Sequence, residues 1–156
     1  MEIRPLHASE VPAFVDELWV PFCREMAEHD PYHALADEYR EGVIEFRRER
    51  LTEEDRIDRV AVVDGELAGF VSAEVQEAPP VFAHGDTAHV NEIYVRPGSR
   101  REGIADELMT AAESWGEDRG CAHVTLTVDA WNESAQALYE DRAYDVTRHT
   151  MRKPLE

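Results

Sequence analysis

The stretch Val90-Asn91-Glu92-Ile93-Tyr94-Val95-Arg96-Pro97, followed after Gly98-Ser99 by Arg100-Arg101-Glu102-Gly103-Ile104-Ala105, decides how the chain folds. Strand-forming residues run from about Thr87 to Val95 and stop at Pro97-Gly98. Ile104, Leu108, Ala111 and Trp115 then recur at helical spacing, with Gly120 at the end of the run. A strand therefore ends, a loop turns, and a helix begins around Arg101. The first turn of such a helix has unpaired N–H groups and the positive end of the helix dipole. A bound phosphate satisfies both. Gly103 and Ala105 are small enough to let a ligand approach the backbone, and Arg100 and Arg101 bring positive charge. Plain helix capping accounts for the same residues, so this stretch alone leaves capping and anion binding both open.

Working outward, Ile3 to Leu6 reads as a short first strand. Ser9 and Glu10 open a helix whose apolar face is Val11, Phe14, Val15, Leu18, Phe22 and Met26. His29-Asp30-Pro31 breaks it. Leu35, Tyr39, Val43 and Phe46 form the apolar face of a second, amphipathic helix running toward Arg50 and Leu51. Arg59 to Val63 and Leu67 to Val75 are strands joined by Asp64-Gly65, a strong hairpin signal. Beyond Gly120, His123 to Val128 alternates as a strand, Glu133 to Asp141 is a short helix, and Tyr144 to Arg152 reads as a last strand. The order β-α-α-β-β-β-α-β-α-β predicts an α/β fold with a central mixed β-sheet flanked by helices. No repeat or linker divides residues 1–156, which read as a single domain.

The chain has 34 acidic and 16 basic residues, a formal net charge of −18, and all of its basic residues but Lys153 are arginine. Nucleic-acid affinity rests on neutralising phosphates with Lys and Arg, so such a partner is not expected. An anionic membrane surface would be repelled, and no long apolar run suggests a span. The absence of a signal-like N-terminus points to a cytoplasmic location. Because the acids are dispersed, they read as an adaptation to a salt-rich, halophilic cytoplasm, where screening relieves self-repulsion; a cationic partner is the other reading. Cys23 and Cys121 are isolated and fit a reducing compartment, with Cys121 read as a small buried thiol.

A second constellation follows the first: Val128-Asp129-Ala130-Trp131-Asn132-Glu133-Ser134-Ala135-Gln136-Ala137-Leu138-Tyr139. Asn132 suits a helix N-cap, and Tyr139 places a phenol on the apolar side of the short helix. Together the two segments resemble the GNAT N-acetyltransferase superfamily. Its phosphate-loop pattern, Arg/Gln-x-x-Gly-x-Gly/Ala, is matched by Arg100, Gly103 and Ala105. Its later motif is matched by Asn132, Ala135, Leu138 and Tyr139.

The resemblance implies an acetyl-CoA-dependent acyltransferase of the GNAT fold, with acetyl-CoA as co-substrate and no metal. In that family the strand before the loop splays from its neighbour, and pantetheine lies in the gap. Carried over, the cofactor-binding positions are Ile93, Tyr94 and Val95 on the strand, Arg100, Arg101, Glu102, Gly103, Ile104 and Ala105 in the loop, and Asn132 and Ala135 beyond. Tyr139 would sit by the thioester sulfur and protonate the departing thiolate. Glu92 is the preferred base or water relay, because an amine must be neutral to attack. Strict alternation puts Glu92 opposite Asn91 and Ile93, so a bulge would change which side it faces. His89, on the substrate side, is the second candidate for the base, since some members place a base near that level. Tyr32, in a loop that lines the acceptor pocket in the family, is a further substrate-site candidate.

Arg142-Ala143-Tyr144 departs from the family's usual Gly-Phe after the short helix, and Ala143 adopts a left-handed cap less cheaply than Gly. The short remainder allows one strand, leaving an edge that a second copy could cover, so a homodimer is expected. His29-x-x-x-His33 has metal-like spacing, but Pro31 breaks the helix that would align the pair. The acceptor is read as a primary amine of a small molecule or peptide. Trp131-Asn132-Glu133 is somewhat similar to spermidine/spermine acetyltransferases, while a protein N-terminal (ribosomal-protein type) acetyltransferase and a non-catalytic acyl-CoA-binding module on the same fold are the alternatives.

Overall fold

Alternating apolar residues build a five-stranded sheet in the computed structural model, which describes residues 1 to 155. Strands β1 (Glu2–Pro5), β2 (Arg56–Val63), β3 (Glu66–Gln76), β4 (Thr87–Val95) and β5 (His123–Leu126) lie side by side in chain order. The first four pair antiparallel, whereas β4 and β5 are parallel, so the sheet is mixed as expected. Asp64 (φ 52°) and Gly65 (φ 80°) turn the β2–β3 hairpin, both in the left-handed region that a two-residue primed turn requires.

Helices α1 (Val11–Phe14), α2 (Val20–His29) and α3 (Arg40–Arg50) cover one face. There Phe14, Val15, Leu18 and Ile44 pack on Val60, Phe70 and Tyr94 of the sheet. Helices α4 (Ile104–Asp118) and α5 (Glu133–Asp141) cover the other. Leu108, Met109, Ala112 and Tyr139 pack there on Val71, Ala73, Val90 and Val95. Gly116 lets α4 come close to β4, since a Cβ there would stand 2.8 Å from the Ala88 methyl.

Three expectations are corrected. The first long helix is interrupted by a π-helical turn at Val15–Trp19. Pro21 has no N–H to return to the carbonyl of Glu17, and the turn widens around that gap. Helix α4 begins at Ile104, not Arg101, because Arg101 (φ 66°) and Gly103 (φ 81°) are left-handed. The last strand, Tyr144 to Arg152, does not form. Residues 145–155 run unpaired and exposed, with Val146 at 77% and Met151 at 92% exposure. The edge strand β5 offers just four residues, and the segment is drawn elsewhere: Arg152 reaches Asp30 at 2.8 Å and lies over the Tyr32 ring at 4.1 Å.

Candidate functional site

The site is organised by a bulge in β4. Glu92 pairs with Ser72 and Val90 with Ala73, which leaves Asn91 as the extra residue. The extra residue reverses the alternation. Val90, Ile93 and Val95 all face α4, while Glu92 and Tyr94 face the N-terminal helices. The same point ends the β4–β5 ladder, whose last pair is Val90 with Leu126. Beyond it β4 runs on alone to Val95, and a cleft of about 950 Å³ opens along its free edge.

Backbone direction along that edge follows from two hydrogen bonds. The Arg96 N–H donates back toward β3, to the Ala68 carbonyl at 2.9 Å. The Val95 carbonyl instead accepts Arg100 Nε at 2.8 Å. Alternation then turns the polar groups of Ile93 and Val95 toward the cleft and those of Tyr94 toward β3. Tyr94 packs its ring on Phe22 at 5.6 Å and also borders the cleft.

Below the strand, the 100–105 loop presents the start of α4. Gly103 is the N-cap, and a Cβ on it would point into open space. Arg101 is also left-handed, and left-handed residues in such loops are a feature of backbone nests that bind anions. Arg101, Gly103, Ile104 and Ala105 border the cleft; Glu102 is exposed and does not. Arg100 is not the free cation the sequence suggested. Its head is held by Glu25 at 2.6 Å and lies over the Tyr94 ring at 5.5 Å. Arg101 is exposed and makes no ion pair among the described residues, so it carries the loop's unspent charge.

The opposite wall comes from the second motif. Asn132 caps α5 by accepting the Ala135 N–H at 3.1 Å, which uses that donor and fixes the helix start. Tyr139 borders the cleft and is otherwise buried; burial pushes its phenol up to about 12. At the mouth, His29 stacks on Trp131 at 3.8 Å and His33 faces Asp129 at 3.5 Å. These two histidines therefore serve different partners across the cleft.

A second cavity of about 570 Å³ lies on the other side of β4, walled by Trp19, Tyr39, Val43 and Phe46. Glu92 stands between the two. Its carboxylate accepts Trp19 Nε1 at 2.9 Å and an Arg47 N–H. Arg47 is only 6% exposed and also approaches Asp58 at 3.7 Å, with the rings of Phe14, Trp19 and Phe70 around its head. Asn91 and Glu92 border both cavities, so the cofactor-sized cleft and the smaller pocket meet at the bulge.

Two candidates lie apart. His89 precedes the bulge, bonds the Thr125 hydroxyl at 2.8 Å and borders neither cavity. Tyr32 is 69% exposed under Arg152. Cys23 is buried with its thiol pushed up to about 12, which leaves it inert. Sequence reasoning missed Trp19, Arg47 and Asp58. Pro21 was a signal for the first, since it disturbs the helix at Trp19; Arg47 was hidden among the charges of an amphipathic helix.

Comparison with known proteins adds the following. The family described as the acetyltransferase (GNAT) family matches residues 13–144. An aminoglycoside N(6')-acetyltransferase type 1 of Salmonella typhimurium is 25% identical over 100 residues, 59% of this chain and 64% of that protein. The chain thus spans 64% of that relative's length. A thialysine N-epsilon-acetyltransferase of Caenorhabditis elegans is 33% identical over 60 residues, 38% of each chain. The structure of the aminoglycoside N-acetyltransferase AAC(6')-Iy with the bisubstrate analogue CoA-S-monomethyl-acetylneamine superposes with a TM-score of 0.78. That superposition covers 99% of this chain and 97% of that one at 17% identity, a likeness of fold.

Proposed function

The chain belongs to the GNAT acetyltransferase family, and from that premise we propose that it transfers the acetyl group of acetyl-CoA directly to a primary amine in a ternary complex. The observation that carries this reading is the meeting of two cavities at Asn91 and Glu92. One is large enough for an extended thioester, the other for a small acceptor, and a direct attack needs both at one point. Relatives named for acetylating aminoglycosides and thialysine share an amine as acceptor.

The roles follow from position. The left-handed loop at Arg101 and Gly103 holds the pyrophosphate, and the free polar groups of Ile93 with the Val95 N–H hold the pantetheine and the acetyl carbonyl. Glu92, fixed by Trp19 and Arg47, keeps spare lone pairs for the acceptor's ammonium or a relay water. The amine nitrogen, once neutral, forms a bond to the acetyl carbon as the C–S bond breaks; its proton leaves through Glu92 to water. Tyr139 then meets the departing sulfur. A phenol pushed up to about 12 is a weaker acid than an ordinary thiol at about 8.5, so it donates a hydrogen bond while the proton itself comes from solvent.

The test is thiol release from acetyl-CoA over a panel of amines and N-terminal peptides, at molar and at low salt. Acceptor-dependent release is expected. Binding of acetyl-CoA without release from any acceptor would support the binding-module reading instead. Tyr139→Phe is expected to lower kcat about tenfold, the worth of one hydrogen bond in the transition state, by the same factor from pH 6 to 9 because the phenol stays protonated throughout. A deficit that grows with pH would instead mean proton transfer.

A further inference from the structure

Helix α3 carries an apolar stripe that the core covers only in part: Tyr39 and Val43 touch its margin and also line the smaller cavity. Tyr39, just before it, then Val43, Phe46 and Arg50 recur along one face. Phe46 is 47% exposed, and Tyr39 and Val43 are only half-buried. All four border the smaller cavity, facing Trp19 and Glu92 across it. An apolar stripe that the core leaves partly open to a cavity is a wall for an occupant.

The charges of that cavity run against those of the chain. With a net charge of −18 overall, the protein lines this pocket with three arginines, Arg47, Arg50 and Arg56, against two acids, Glu74 and Glu92. Both acids already have arginine partners: Glu92 holds Arg47, and Glu74 holds Arg56 at 2.5 Å. Arg50 is the loosely held member. It stands 3.4 Å from Glu53 and 4.0 Å from Glu74, keeps 27% of its side chain exposed, and lies over the Phe46 ring at 4.4 Å. A guanidinium flattened on a ring offers its N–H edge to a planar carboxylate. A polycation entering here would meet Arg50 and find no unpaired acid on the cavity wall.

We infer that the acceptor is a primary amine on a flat apolar body that ends in a carboxylate, with the amine at Glu92 and the carboxylate at Arg50. Arg50 lies one turn of α3 beyond Arg47, so a single ring spans the two ends. The inference rests on the acetyl-transfer reading above and narrows it: Arg50 selects the acceptor, and polycationic sugars are disfavoured.

The probes are 4-(aminomethyl)benzoate, its methyl ester and kanamycin, assayed for CoA release and by calorimetry on the CoA-loaded chain. The acid is expected to exceed the ester and kanamycin by at least about tenfold in kcat/KM, the worth of one charge-assisted contact. Arg50→Gln is expected to bring the acid-to-ester ratio to about one, through KM. Preference of the parent protein for kanamycin or the ester overturns the inference, as does an unchanged ratio in Arg50→Gln. If no amine releases CoA, the acetyl-transfer reading fails, and calorimetry still decides the pocket. Tighter binding of the acid that Arg50→Gln abolishes upholds the carboxylate site, and equal binding of acid and ester removes it.

Discussion

Arg47 joins two strands through their carboxylates, Asp58 on β2 and Glu92 on β4, from an amphipathic helix whose other buried side chain is Ile44. In the sequence it was one charge in Phe46-Arg47-Arg48, and periodicity alone does not separate it from its neighbours. Burial does, because a guanidinium inside an aromatic box persists only with partners on both sides. Removing it leaves two carboxylates facing each other's field. Arg47→Met is expected to cost about 3–5 kcal/mol in denaturant unfolding. The deficit has a pH signature. Burial raises the Asp58 pKa, and Arg47 is the chief group opposing that rise. A raised carboxyl binds its proton more readily folded than unfolded, so its contribution to stability increases as pH falls. The variant's deficit is therefore expected to be largest at neutral pH and to shrink on acidification. A deficit that is constant with pH would place the loss in packing instead.

Among the elements, those with a local chemical cause were legible and those shaped by distant partners were not. Asp64-Gly65 announced the β2–β3 hairpin, and the limits of β4 and α5 agree with the sequence reading. The bulge at Asn91 did not announce itself, because a one-residue register shift depends on which residues β3 opposes. The exit of α5 lies between these cases. Ala143 does adopt the left-handed conformation, φ 68°, that a glycine would take without strain. Arg142 holds it there by reaching α4, at 3.1 Å from Asp106 and 2.6 Å from Glu113, and the Tyr144 hydroxyl donates to Glu113 at 2.6 Å. Ala143→Gly is expected to stabilise the fold by about 1 kcal/mol, raising Tm by about 2–4 °C in calorimetry. No gain would mean that the greater freedom of glycine in the unfolded chain offsets the strain.

For the whole molecule the open question is the edge of the sheet. Four-residue β5 ends it on one side, and the exposed 145–155 segment, whose backbone pairs with no strand, leaves Val146, Met151 and Leu155 uncovered. Two copies exchanging these segments as strands would satisfy both, and a sedimentation mass of two chains at micromolar concentration is expected, falling to one when residues 145–155 are removed. A full-length mass of one chain would discard the dimer. Among the described residues no helix is long and apolar enough to cross a membrane. The net charge of −18 is a property of composition, but its use is not: arginines that looked free in the sequence are spent on named acids, Arg100 on Glu25 and Arg152 on Asp30, while Arg101, in the loop before α4, has no ion pair among the described residues. The sequence by itself determined the order of elements as far as α5, the mixed sheet, the strand–loop–helix after β4 and the family, because each is written in short-range spacing and turn chemistry. Only the tertiary structure decided which way Glu92 faces, that Arg47 and Trp19 hold it, and what lines the acceptor pocket. Those depend on strand register and on residues brought together from α3 and three strands, whose proximity no local pattern encodes.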